Sequence, residues 1–195
     1  LLGKSVARLD TLAKVNGTAV FGTDVDLPGM LYGTVRHCKV FGEKLISVYD
    51  TKAKAVPGVI AVIPLEDQAV VVADSTWAAM KGADVLKLVT SGGHKDLSDE
   101  IISRQFRSDL SKSGVTAAQV GDSSKAIAKA NKVLELEYEM PMQAHATMEP
   151  LCATANVNPD ECNIWAPVQN QDAVMGVAVA VTNLPPEKIR INTTF

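Results

Sequence analysis

Aromatic residues are scarce in this chain: Phe, Trp and Tyr together make up 5% of its 195 residues. A core built on large rings is thereby excluded. The 47% of apolar residues must close it with Val, Ala, Leu and Ile. An excess of charge of one sign is also lacking. Nineteen basic side chains against 22 acidic ones leave −3, so nucleic acid is not expected as the main partner. No run of about 18 apolar residues occurs, and no membrane-spanning helix is expected. Neither G-x-x-x-x-G-K-[ST] nor G-x-G-x-x-G is present, which removes the loops that cradle phosphates on backbone amides. Cysteine is limited to Cys38, Cys152 and Cys162. No C-x-x-C pair exists among them, so neither a zinc site nor an iron–sulfur cluster is indicated.

What is present is a series of short strand and helix signals. Pro28-Gly29 suits a type II turn, because Pro fixes the first central φ and Gly accepts a positive second one. Residues 30–36 read as the strand that follows. Asp50 or Thr51 can cap a short helix over 52–56, and 59–63 is a β-branched strand. Residues 69–73 form a continuous apolar run, as in a strand buried on both faces. Asp74 or Ser75 then caps a helix carrying Trp77 and Met80, and 85–89 is another strand, which together imply a small α/β unit. Residues 91–120 are polar and Gly-rich at the start, a linker by composition, with Leu97, Ile101, Ile102, Phe106 and Leu110 near helical spacing. Asp96, Asp99 and Glu100 within it lack the alternation of a calcium loop and read as a solvated face. Asp122 or Ser123 caps a helix through Ala130, with Asn131 as a left-handed stop. "KVLELEYEM" reads as a half-exposed strand. Strands at 151–157 and 162–168 form a hairpin around Asn158-Pro159-Asp160, and Cys152 and Cys162 flank it. They can face each other as a disulfide; free buried thiols are the expected state. "QDAVMGVAVAVTN" is apolar on nearly every side, so as a helix it should be buried. Pro185 and Pro186 end it, and 189–194 is a last strand.

The residues that can carry chemistry cluster late. His145 and Glu149 are four apart, a metal-ligand spacing on a helix. Pro141 before them and Pro150 after make that helix doubtful, and the expected role is to satisfy backbone groups in a loop. His37 and His94 stand alone. Gln169 closes a strand and precedes an apolar helix, a frequent ligand position in α/β folds. Its amide either donates to a ligand or fills the turn; the sequence leaves the two open.

The stretches "RLDTLAKVNGTAVFGTDVDLPGMLYGTVRH", "VPGVIAVIP" and "AVVVADSTWAAMKGA" resemble the α/β hammerhead domain of molybdenum hydroxylases. "EYEMPMQAHATMEPLCATANV", "IWAPVQNQ" and "PPEKIRINTTF" resemble the opening of their molybdopterin-binding domain. This is the xanthine dehydrogenase and aldehyde oxidase superfamily, and the wording is nearest its bacterial branch of the isoquinoline 1-oxidoreductase β-subunit type. The resemblance implies an α+β fold, with a hammerhead over 1–90, a linker over 91–120 and the truncated start of the cofactor domain over 121–195. It implies hydroxylation beside nitrogen in a heterocycle, or aldehyde oxidation, with water as the oxygen source. A molybdenum–pterin cofactor takes two electrons, and a small partner subunit carries [2Fe–2S] clusters. By the same resemblance Gln169 is the cofactor-binding residue, reaching the molybdenum oxo group, while His145, Glu149 and Pro150 give packing support. No catalytic base and no protein metal ligand are expected within these residues. The family's glycine-rich cofactor loop is expected after Phe195 and its general-base glutamate far beyond, so the chain by itself is expected to be inactive and free of cofactor. Export to the periplasm is suggested by the resemblance alone. The alternatives are a non-catalytic binding or assembly module, and a small hydrolase using His145 and Glu149.

Overall fold

The computed structural model describes residues 2–195. Its contacts divide the chain into two units, one made of the residues up to Met30 together with His145–Phe195, the other of Leu31–Ala144. The stretch 91–120 holds the helix that its apolar spacing suggested. Three cores of buried side chains are all built from small and aliphatic residues, as the scarcity of rings requires.

In the unit of Leu31–Ala144, strands β1 (Tyr32–His37), β3 (Val59–Pro64) and β4 (Gln68–Ala73) form an antiparallel sheet in the order β1-β4-β3. β4 is central, and Ala69, Val71 and Ala73 alternate along it as fully buried residues. The continuous apolar run thus serves one closely packed face and one half-buried face. β2 (Glu43–Tyr49) pairs with β5 (Lys87–Gly92) in a separate antiparallel ribbon. The expected strand–helix–strand step therefore joins two different sheets. Between the strands run α2 (Thr51–Lys54) and α3 (Thr76–Val85). Ser75 caps α3, its side chain accepting the Ala78 N–H at 3.3 Å. Ala78, Ala79, Gly82 and Ala83 make its buried face. Ala53, Ala69, Val71, Ala83 and Leu86 join in one core.

The one buried charged residue among those described is Glu43, 6% exposed. Its Oε2 accepts the N–H groups of Lys39 and Val40 at 3.1 and 3.2 Å. Burial opposes its ionisation, but the bonds from Val40, Thr90 and Lys39 outweigh that and hold the carboxyl below its ordinary value. A folded-state pKa below the unfolded one stabilises in full above the unfolded value, near ~4.3. That contribution is lost as pH falls through the folded value. Glu43→Gln is expected to lower the Tm at neutral pH and to flatten its fall on acidification. Calorimetry from neutral to acidic pH checks this; parallel curves for both proteins would contradict it.

Past β5, helix α4 (Asp99–Leu110) is capped by Ser98, whose side chain accepts the Ile101 N–H. α5 (Ser123–Ala128) is capped by Asp122, which accepts the Lys125 N–H at 3.0 Å. Asn131 is not left-handed; the non-glycine residues with positive φ are Ala146 and Asn183. The strand expected over "KVLELEYEM" has no ladder partner and stays exposed.

In the other unit, Pro28 and Gly29 form the expected turn. Gly29 has φ 74°, and the Met30 N–H reaches the Leu27 carbonyl at 3.0 Å. A short helix α1 (Thr11–Val15) precedes it. Lys14 lies over the Phe195 ring, 4.6 Å from its centroid, and Phe21 stands 5.8 Å from that ring. β6 (Thr154–Val157) and β7 (Cys162–Ala166) are antiparallel. Their turn closes with the Asn158 N–H on the Glu161 carbonyl and the Asn158 side chain accepting from Asp160 and Glu161. α6 (Gln171–Thr182) follows, and β8 (Ile189–Thr193) lies parallel to β7.

Candidate functional site at the carboxyl ends of two parallel strands

β7, α6 and β8 make one strand–helix–strand crossover, held by Cys162, Ala178 and Ile189 in a common core. Parallel strands require such a connection, and it brings their carboxyl ends beside the helix start. The helix begins where Asn170 Oδ1 accepts the Ala173 N–H at 3.0 Å. It ends at Asn183, left-handed with φ 56°. Asn tolerates that conformation at a helix C-terminus, and the two prolines after it cannot continue the ladder.

The two glutamines of this corner have different duties. Gln171 Nε2 donates to Thr193 Oγ1 at 3.2 Å and reaches the Val168 carbonyl at 3.5 Å. It ties the helix start to the end of β8. Gln169 lies in the bend between β7 and α6, exposed, and its amide makes no hydrogen bond among the described residues. Next to this corner, Thr194 Oγ1 is buried without a partner, while its N–H donates to the Ala166 carbonyl at 3.2 Å. An unpaired buried hydroxyl and a free amide are neutral polar groups open to a hydrogen-bonding partner. Asp172, in the first turn of α6, opposes a phosphate at that helix end.

His145 and Glu149 do not join this corner as a pair. The segment is not helical, and Ala146 between them has φ 43°. His145 is exposed. Glu149 Oε1 accepts the Gly22 N–H at 3.1 Å, which is the backbone-satisfying role expected of it. Gly22 has no room for a side chain, since an added Cβ would stand 2.7 Å from Cys152 Sγ. Burial, and then the Glu149 charge, raise the Cys152 thiol above its usual range. All three cysteines are free. Among the described residues, no group of three or more His, Cys, Asp and Glu is placed to hold a metal. The hydrolase alternative loses its pair, because Glu149 is engaged by backbone and His145 has no partner among the described residues.

Residues 106–195 match the molybdopterin cofactor-binding domain family. That stretch belongs to the family. A subunit of nicotinate dehydrogenase from Pseudomonas putida is 31% identical over 87% of this chain and 15% of its own length. The beta subunit of isoquinoline 1-oxidoreductase from Brevundimonas diminuta is 29% identical over 98% of this chain and 26% of its own. Among solved structures, aldehyde oxidoreductase from Desulfovibrio gigas superposes with a TM-score of 0.71 over 96% of this chain and 26% of that one, at 18% identity. That likeness shows the mixed helix-and-strand fold. The chain thus spans about a quarter or less of the length of these relatives. The β7–α6–β8 corner lies inside the matched cofactor-binding domain, as does the helix α4 from Phe106 on.

Proposed function

We propose that this chain is part of a molybdopterin-dependent oxidoreductase subunit that hydroxylates N-heterocycles or oxidises aldehydes, with water as the oxygen source. The observation that carries the reading is the match of residues 106–195 to the cofactor-binding domain, with the strand–helix–strand corner inside it. Two of the relatives are named as single subunits of their enzymes. Those names support a partner, and a small [2Fe–2S] protein is the one proposed. Residues 1–90 are read as the hammerhead domain and 121–195 as the first part of the cofactor domain. The cofactor, when bound, supplies the two-electron acceptor for the reaction.

The residues present fit one wall of such a site. Gln169 would offer its amide N–H to an oxo or pterin acceptor without adding charge. The buried Thr194 hydroxyl lies beside the same strand ends, and Gln171 keeps the corner in register through Thr193. None of these groups is a base suited to take a proton at neutral pH, so proton transfer needs a residue other than these three. By itself, the chain is expected to bind no molybdenum and to turn over no substrate.

The test is the complete subunit expressed with its small partner in cells that make the cofactor. Metal analysis should find about one molybdenum per subunit, and a metal-free protein of native fold would overturn the reading. Gln169→Ala is expected to keep the molybdenum and to lower kcat about tenfold, as the loss of a group that orients a metal's ligand does. An unchanged kcat removes Gln169 from the site.

A further inference from the structure

Four hydrogen bonds fix the bend that joins β7 to α6. The carbonyl of Ala166, the last residue of β7, accepts two of them, from the Val168 N–H at 3.0 Å and the Thr194 N–H at 3.2 Å. Pro167 has its φ set by its own ring. The Val168 carbonyl takes the third, from Gln171 Nε2 at 3.5 Å. The fourth holds Asn170 at the helix cap, its Oδ1 accepting the Ala173 N–H at 3.0 Å. Both neighbours of Gln169 are thus tied, while its own amide bonds to nothing among the described residues. A fixed backbone carrying an open amide is the arrangement that a ligand-orienting group needs.

Gln171 is the side chain that joins this bend to the neighbouring strand. Its amide nitrogen reaches the Val168 carbonyl and, at 3.2 Å, Thr193 Oγ1. Thr193 ends β8 and stands opposite Ala166 in the parallel ladder. The bend cannot tilt away from β8 without breaking the Gln171–Thr193 bond. Gln171 itself is exposed and lies outside the core of Cys162, Ala178 and Ile189. An exposed polar side chain of this kind adds little to stability. Its two bonds go to the two elements that frame Gln169, so what it supplies is direction.

We propose that Gln171 is a positioning residue for the reaction, which fixes the reach of the Gln169 amide through the Val168 carbonyl and the Thr193 hydroxyl. The inference rests on Gln169 standing in the cofactor site. Without these two bonds the backbone from Val168 to Asn170 takes more orientations, and the Gln169 amide meets its acceptor in fewer of them. Such a loss of aim lowers kcat and leaves KM where it is. It also makes the two glutamines one unit: once the Gln169 amide is gone, Gln171 has nothing left to aim.

A double-mutant cycle in the complete cofactor-loaded enzyme tests it, read by kinetics, metal content and hydrogen exchange. Gln171→Leu keeps the length of the side chain and removes its donors; Thr193→Val removes the acceptor. Each should lower kcat about fivefold with KM and molybdenum content unchanged, as the loss of a group supporting a metal's ligand does. Exchange of the Val168 and Thr194 amides should rise about fivefold, a local opening that leaves the β7 amides of Asn163–Trp165 unaltered. Gln169→Ala combined with Gln171→Leu should cost about tenfold, no more than Gln169→Ala alone, where independent actions would multiply to about fiftyfold. The inference is overturned by an unchanged kcat in Gln171→Leu and Thr193→Val, by multiplied losses in the double variant, or by molybdenum lost in step with kcat. A silent Gln171→Leu beside an impaired Gln169→Ala overturns this inference alone. A silent Gln169→Ala removes Gln169 from the site and this inference with it.

Discussion

Gly82→Val is expected to destabilise the β1-β4-β3 part of the protein by about 3 kcal/mol, the upper range for overpacking a closed core. A Cβ added at Gly82 would stand 2.8 Å from Val71 Cγ1 and 2.9 Å from Val59 Cγ2. Both are short, stiff side chains, and Val71 is fully buried. Helix α3 can therefore lie on the sheet only because position 82 carries no side chain. A change of that size lowers Tm by about 10 °C in a protein this long. Gly82→Ala should fall between, because better helix propensity offsets part of the strain, by about 1 kcal/mol. Gly176, the interior glycine of α6, supplies the opposite sign. Nothing lies within 4 Å of its added Cβ, so Gly176→Ala should stabilise by about 0.5–1 kcal/mol through propensity alone. Urea titration of the three variants checks both signs. Stabilisation by Gly82→Val would contradict the packing described for α3.

Ile189→Ala is the second large effect, expected to cost about 3 kcal/mol, in the range for truncating a buried aliphatic residue. Ile189 is 7% exposed and packs with Cys162 and Ala178, and so joins β8, β7 and α6. Its loss also loosens the corner that holds Gln169 and the Gln171–Thr193 bond. Exchange of the β7 and β8 amides should rise with it. In the cofactor-loaded enzyme, the molybdenum content should fall as well. Unchanged protection in β7 and β8 would mean that this core does not hold the crossover together.

The parts of this structure that were legible in the sequence are those fixed by local chemistry. Ser75 and Asp122 cap their helices through side-chain acceptors, and capping needs only the next three residues. Pro28-Gly29 and Asn158-Pro159-Asp160 close their turns for the same reason. The role of Glu149 was also foreseen, because two prolines forbid the helix a metal pair would need. What escaped depends on partners distant in sequence. The apolar composition of α6 called for burial, yet only Ala178 is buried and Val177 and Val181 are exposed. Composition reports which faces are apolar, and the described residues cover just one of them. The same holds for 134–142, where alternation marks one side of a ladder and does not supply the other. Asn131 and Asn183 look alike to a capping rule, but only Asn183 ends a helix long enough to fix the stop. Glu43 gave no signal at all. A charge reads as solvated until the backbone of Lys39 and Val40 is seen folded around it.

The account rests on the carboxyl ends of β7 and β8 forming a wall of the cofactor site, and the position of molybdenum tests it most directly. Anomalous scattering measured at the molybdenum edge, on crystals of the complete cofactor-loaded enzyme, locates that atom without reference to any expected contact. The account predicts a peak on the cofactor-binding domain, beside the β7–α6 bend and the end of β8. A peak on the far side of the β6-β7-β8 sheet, or none in active crystals, would contradict it.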